Sequence, residues 1–294
     1  MECELPDVQC TAPNIGRSIR QVGVEDVEVP FKLESKYGGH HQLIANVSMR
    51  VNLDNRTKGI SMSRLIRTLR KYLDLPLKRT LVQKILEDLK NTVGGERSYM
   101  KFEFKFPMNR MSPKSQYIFP LYYNCRFEGQ LINEQFNFGE MHKPVTSQFK
   151  FYQGVRIQYA SYCPCSAELC NDLKDKDIIG FPHAQRSFAD ILIETDNRVY
   201  IWLEDIVEAV IKRICTLPYA IIKRVDEQEI ARIAAKNPMF VEDAIRLISE
   251  SLDEMEGISD WIVKCNHEES IHTSDAIAIN WKGVTNGFNG RRFI

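Results

Sequence analysis

The sequence predicts an α+β protein of two halves, each running strand, strand, helix, helix, strand, strand. Three observations carry this: paired segments of apolar/polar alternation, helical stripes between the pairs, and recurrence of that order past the middle of the chain.

The first strand pair covers 22–33 and 43–53, where partial alternation combines with β-branched residues, and Gly38-Gly39 supplies the turn of a hairpin. In 63–73 the residues Leu65, Ile66, Leu69 and Leu73 recur at helical spacing, and 81–89 repeats the pattern after the break at Pro76. Strand character returns in 99–107, with Phe102, Phe104 and Phe106 on one face, and in 117–131. Beyond a loop around 139–144, the stretch 148–162 alternates through Phe149, Phe151, Val155, Ile157 and Tyr159, and 185–195 forms its partner. Helical stripes follow in 202–214 (Leu203, Ile206, Val207, Val210, Ile214) and in 238–255 (Phe240, Ile245, Ile248, Leu252). Short strands at 260–265 and 275–281 close the second half. The recurrence is one of element order and not of residue identity, so a duplicated unit competes with coincidence in an ordinary α+β chain.

Composition narrows the class. With 294 residues, 44% hydrophobic and 27% charged, the chain can bury one large core or two smaller ones. Thirty-nine basic residues balance thirty-nine acidic ones, so no overall field draws it to nucleic acid or to an anionic membrane. The opening residues 1–7 are acidic, without the basic and apolar regions of a secretory signal, and no run approaches the roughly 18 apolar residues of a membrane span. A cytoplasmic protein is expected. Its eight cysteines then read as reduced thiols, metal ligands or nucleophiles rather than as a disulfide framework.

The densest chemical cluster is Cys163-Pro164-Cys165, with Cys170 beyond it. If a strand ends there, residues two apart face the same way and both thiols reach one pocket; the competing reading is buried, inert cysteine. His183 stands where a proline-bearing loop enters a strand, a place that suits a proton carrier as well as a merely hydrogen-bonded histidine. Glu269 and His272, three apart, can reach one ion from a helical turn or tight loop, or belong to a solvated loop. Glu227 in Lys223-Arg224-Val225-Asp226-Glu227 and Glu242 after Pro238 add carboxylates, the latter also explicable as a helix-start acid. Together these form a ligand pool suited to zinc, manganese or ferrous iron. There is no Walker loop and no Gly-x-Gly-x-x-Gly, so phosphate contacts fall to Lys58, Arg64, Arg186, Lys223 and Arg224.

Taken in order, Leu5-Pro6-Asp7-Val8-Gln9, Val22-Gly23-Val24, Lys58-Gly59-Ile60-Ser61-Met62-Ser63-Arg64, Cys163-Pro164-Cys165-Ser166, His183-Ala184-Gln185-Arg186-Ser187, Lys223 to Glu227, Asn237-Pro238 with Phe240-Val241-Glu242-Asp243, and Glu269-Ser270-Ile271-His272 resemble the type IB GTP cyclohydrolases over nearly the whole chain. The resemblance implies two tandem tunnelling-fold (T-fold) units, 1–140 and 141–294, each β-β-α-α-β-β. It further implies antiparallel sheets with helices on one face, assembling into barrels in an oligomer, typically a homotetramer with interfacial active sites. The implied reaction converts GTP and water to 7,8-dihydroneopterin triphosphate and formate, with a divalent metal (Zn, Mn or Fe(II)). By matching positions, Cys163, Glu227, Glu269 and His272 are the implied metal groups. Cys163, His183 and Cys165 are the catalytic ones, with Cys165 assisting or pairing reversibly with Cys163. Glu242 anchors guanine, and Lys58, Arg64 and Arg186 meet the triphosphate. Two departures stand out: Ser61 occupies a position where the family pattern has His, and the stretch between Cys165 and His183 is longer, including the charged run 172–177. The rival readings are an archaeal-type relative giving a cyclic phosphate product, a T-fold nitrile oxidoreductase, and a non-enzymatic metal-binding or structural protein that uses the same cysteines in a closed site.

Overall fold

An antiparallel sheet of eight strands, in the order β1-β2-β3-β4-β7-β8-β9-β10, organises the chain. The structure is a computed structural model and describes residues 8–134, 137–138, 141–142, 146–173, 179–196 and 199–289. Residues 5–7 of the opening motif, 139–140 and 143–144 of the expected loop, and 174–177 of the charged run lie outside the described residues.

In the first half, β1 (Ile19–Glu34) and β2 (His40–Leu53) form the expected hairpin, and Gly38 and Gly39 turn it at φ of 94° and 74°, which side-chain-bearing residues resist. Helices α1 (Met62–Arg70) and α2 (Arg79–Val93) follow, then β3 (Arg97–Met111) and β4 (Ile118–Glu134). A two-residue pair, β5 (Asn137–Phe138) and β6 (Met141–His142), lies within the expected loop. The second half runs β7 (Thr146–Tyr162), α3 (Pro164–Leu173), β8 (Ala184–Thr195), α4 (Leu203–Ile214), α5 (Arg224–Lys236), α6 (Val241–Asp253), β9 (Ile258–Glu268) and β10 (Ala276–Trp281). The two additions to the expected order, α3 and α5, have little apolar signature: α3 buries none of its residues, and α5 buries Asp226 and Ala234.

The chain divides into two compact units, one of residues 1–105 and 126–152, the other of 106–125 and 153–294, so β3, β4 and β7 contribute to both. In the first unit, register puts Ala45, Val47 and Met49 of β2 opposite Phe104, Phe102 and Met100 of β3, all buried on one face. Phe31, Phe104, Phe127 and Phe151 continue as a chain of edge-to-face rings with centroids 5.0–5.4 Å apart. Helix α2 brings Val82, Ile85, Leu86 and Leu89 into this core. It comes so close to β4 that a Cβ at Gly129 would lie 2.5 Å from Val82 Cγ1.

The second unit places the functional residues. Its core is the buried side of β8 and β9, where Ala189, Ile191 and Ile193 oppose Cys265, Val263 and Trp261. The stripe Leu203, Ile206, Val207, Val210 and Ile214 of α4 is buried as its spacing predicts; of the stripe expected in α6, Ile245, Ile248 and Leu252 are buried with Val241 and Ala244, whereas Phe240 is the exposed residue that precedes the helix. Each such large apolar side chain contributes roughly 1.5–3 kcal/mol on burial.

Strand β7 ends at Tyr162 and Pro164 opens α3, the first helical position being one where its missing N–H costs nothing. Cys163 and Cys165 are therefore related by a helix start and not by a strand repeat: Cys163 is half-buried and lines the cavity described below, whereas Cys165 is exposed and does not. Among the described residues no helix is long and apolar enough to cross a membrane.

Candidate active site

Three chain connections of the second unit are stapled together at one end of its strands. The Cys163 amide donates to the His183 carbonyl at 3.3 Å, the His183 amide to Ser166 Oγ at 3.3 Å, and the Met239 amide to the Tyr162 carbonyl at 3.0 Å. The end of β7, the loop entering β8 and the loop entering α6 are thus held in common. They enclose a cavity of about 330 Å³, within the size range of ligand sites, which Cys163, His183, Gln185, Glu242, Glu269 and His272 help to line.

Each side chain arrives by a simple local device. His183 directly precedes β8, and Glu269 directly follows β9, one step beyond the last paired residues Arg186 and Glu268. His272 comes from the tight loop between β9 and β10. Glu242 lies in the first turn of α6, whose end is capped as Asp243 Oδ2 accepts the Phe240 amide at 3.0 Å. A carboxylate there meets the positive end of the helix dipole and faces the cavity as well.

The cavity's polar groups are not satisfied among themselves. His183 Nδ1 and Glu269 Oε2 stand 3.9 Å apart, too far for a hydrogen bond, and both atoms are buried with no hydrogen-bond partner. Gln185 Nε2 donates to Glu269 Oε1 at 3.2 Å, and Gln185 Oε1 is likewise unpaired. Buried polar atoms are rarely left without partners, so this wall is shaped for a guest. Thiol, imidazole and carboxylate are donor types that a divalent ion takes, but among the described residues of the single chain no three of them stand close enough to share one.

At the floor of the cavity, which His267 also lines, is a hydrogen-bond network that sequence reading missed. His267, 1% exposed, meets Tyr159 Oη at 2.9 Å through Nε2 and Ser161 Oγ at 3.1 Å through Nδ1, and Ser161 Oγ meets Ser187 Oγ at 2.7 Å. Burial drives the His267 pKa down to about 4, against the opposing charge of Glu242. Strand reading stopped at 265; carried on with period two, it puts His267 on the face of Cys265 and Glu269. The cysteines separate by environment. Burial raises the thiol pKa of Cys125 and lifts that of Cys265 to about 12, which marks both as inert core groups, whereas Cys163 opens on the cavity.

The remaining expected residues fall elsewhere. Glu227 is exposed on α5 and does not line the cavity, and no three His, Cys, Asp or Glu side chains among the described residues stand close enough to hold a metal ion. Its neighbour Asp226 is the buried one. Oδ1 accepts the amides of Lys114 and Ser115 at 2.8 Å each, and Oδ2 accepts Ser115 Oγ at 2.6 Å and the Lys223 amide at 2.8 Å. Burial alone would raise its pKa, but these donors hold it well below the usual carboxylate range. Arg186 is exposed on the strand face opposite Gln185; Lys58 and Arg64 are exposed residues of the first unit.

Comparison with known proteins identifies the family. Residues 5–278 match the family described as Type I GTP cyclohydrolase folE2. The chain is 31% identical over 287 residues to GTP cyclohydrolase FolE2 of Roseobacter denitrificans, covering 96% of this chain and 75% of that protein. Against GTP cyclohydrolase FolE2 of Jannaschia sp. it is 30% identical over 286 residues, with the same coverage of 96% and 75%. Among solved structures, uricase from Arthrobacter globiformis superposes with a TM-score of 0.55 at 7% identity, covering 94% of this chain and 98% of that one. A uricase from Bacillus fastidious gives 0.53 at 8% identity, covering 90% and 92%. At such identities the likeness is one of fold alone, an α+β chain of uricase-like T-fold type. Sequence relatedness along almost the full chain carries more, and by it this protein belongs to the type I GTP cyclohydrolase FolE2 family.

Proposed function

We propose that this chain hydrolyses GTP to 7,8-dihydroneopterin triphosphate and formate, the first step of folate-type pterin synthesis. The observation that carries the reading is one cavity lined by Cys163, His183, Glu242, Glu269 and His272, in a member of this family. The purine would be anchored by Glu242, whose two acceptor oxygens match the N1–H and 2-amino donors of guanine. His183, at the mouth of β8, takes and returns protons at the purine nitrogens, a role for which imidazole is suited near neutral pH. The half-closed wall limits the water that reaches the reacting carbon.

A divalent ion would be held by Cys163, Glu269 and His272, with His183 as an additional donor, and would have to draw these side chains together, since they share the cavity but do not stand within one coordination sphere. When bound, such an ion supplies the Lewis acidity that makes water a nucleophile near neutral pH. Glu227, exposed on α5 of its own subunit, completes the set in this reading by reaching the cavity of a neighbour in a homotetramer with interfacial sites. Exposed Lys58, Arg64 and Arg186 would meet the triphosphate from neighbouring subunits in the same way. Cys165 is an auxiliary thiol outside the cavity wall. The same reading takes 1–140 and 141–294 as tandem T-fold units whose sheets close barrels in the oligomer, and places the protein in the cytoplasm.

Purified oligomer supplied in turn with Zn, Mn and Fe(II) should release formate from GTP and yield a pterin that fluoresces after oxidation. Chromatography of the product distinguishes the triphosphate from a cyclic phosphate, and GTP left intact with every metal refutes the proposal.

A further inference from the structure

Gln185 has a buried polar atom that no hydrogen bond of the fold satisfies. The residue sits at the start of β8, is 7% exposed and lines the cavity. Its amide nitrogen donates to Glu269 Oε1 at 3.2 Å. A carboxylate only accepts, so the orientation of this amide is fixed: nitrogen faces Glu269 and the carbonyl oxygen faces away. That oxygen, Oε1, is buried and without a partner. An unpaired buried acceptor is costly, and the cost is recovered only when a donor arrives with the ligand.

The ground-state substrate has no such donor at its reacting edge. In guanine N7 is an acceptor, C8 carries only C–H, and N9 is bonded to ribose. Net addition of water across N7=C8 places hydroxyl on C8 and a proton on N7, creating an N7–H. When C8–N9 breaks, the hydroxyl proton passes to N9 as C8 becomes a formyl carbonyl, and N7–H persists as a formamide. It remains a donor until the second hydrolysis releases formate.

We propose that Gln185 Oε1 accepts this N7–H and so binds the hydrated and ring-opened states more tightly than GTP itself, an inference that rests on the GTP reading above. An interaction made only after the ground state accelerates the chemical step instead of merely tightening substrate binding. The Gln185 amide nitrogen meanwhile keeps the Glu269 carboxylate in one orientation, so a single side chain sets both groups.

The test is equilibrium binding to metal-free oligomer, comparing GTP with the triphosphate of ring-opened formamidopyrimidine guanosine. Gln185→Met should weaken the ring-opened nucleotide about two- to tenfold, the range of one neutral hydrogen bond, and leave GTP within about twofold. Independently of any variant, the N7-methylated formamidopyrimidine, which lacks the N–H, should bind wild-type protein more weakly by the same factor. Equal binding of methylated and unmethylated nucleotides, or equal loss of GTP and ring-opened nucleotide in Gln185→Met, overturns the assignment to Gln185 while leaving the function standing. Failure of wild-type protein to bind GTP at all would instead bring down the functional reading and this inference with it.

Discussion

Tyr159 and the buried His267, which lines the floor of the cavity, meet at 2.9 Å, hydroxyl to Nε2, and Ser161 closes on the other ring nitrogen. A neutral imidazole has one donor and one acceptor nitrogen, and hydroxyls can serve either, so the ring is satisfied without the charge that burial penalises. Burial sets its pKa near about 4 against an ordinary 6.5. Between those values the unfolded chain binds a proton that the folded chain refuses. Stability is therefore complete above about pH 6.5 and falls as pH drops toward about 4, by roughly 2–3 kcal/mol from this group. His267→Gln, which cannot titrate, should be less stable at neutral pH but flatter across that window. Urea unfolding at a series of pH values measures both slopes, and parallel slopes would remove His267 as the cause.

Glu242 offers a separable test of substrate recognition. It is exposed in the first turn of α6 while Val241, Ala244 and Ile245 behind it form the core, so its loss leaves packing intact. Glu242→Ala should weaken GTP binding about tenfold or more, since charged hydrogen bonds to two guanine donors are lost together. ATP, lacking that donor pair, should be bound poorly by both proteins. Unchanged GTP affinity in the variant would free Glu242 from the role.

Much of this was legible in the sequence because burial here is one-sided. Val47, Met49 and Val51 alternate with more exposed neighbours, and the α4 stripe is as regular, so periodicity located these elements within a few residues. Helix α3 could not be read that way, since it buries nothing. The last residues of β9, polar on both faces, also hid their strand: His267 is inward because hydroxyls of Tyr159 and Ser161 receive it, a reason that apolar patterning cannot express. Cys163, His183, Glu269 and His272 were legible by chemical identity, and the structure gathers them at one cavity. Gln185 was overlooked because an amide is read as neutral filler until an unpaired oxygen shows otherwise.

Asp226 and Glu227 are adjacent and have opposite fates. The buried Asp226 ties the start of α5 to the turn at Lys114 and Ser115, and its helix neighbour projects outward. Asp226→Asn keeps the shape but replaces one acceptor oxygen by a donor that faces donors. The melting temperature should drop by several degrees, and the turn around Lys114 should exchange its amide hydrogens faster. Glu227→Gln should leave both unchanged. Equal melting of wild type and Asp226→Asn would show that the clamp does not stabilise the fold.

The exposed position of Glu227 makes the shared-site reading testable without any knowledge of the metal. Cys163→Ala, His183→Ala and Glu227→Ala should each fold, because none of the three residues belongs to the buried core, and each should lose formate release by a hundredfold or more. Cys163 and His183 line the same wall of one chain, so an oligomer mixed from those two variants has no complete cavity. If Glu227 acts across the interface, dissociating and reassembling Cys163→Ala with Glu227→Ala restores some sites, since intact Cys163 of one subunit then meets intact Glu227 of another. Recovery of activity in the second mixture but not in the first is the expected result. Recovery in neither would place Glu227 outside the active site.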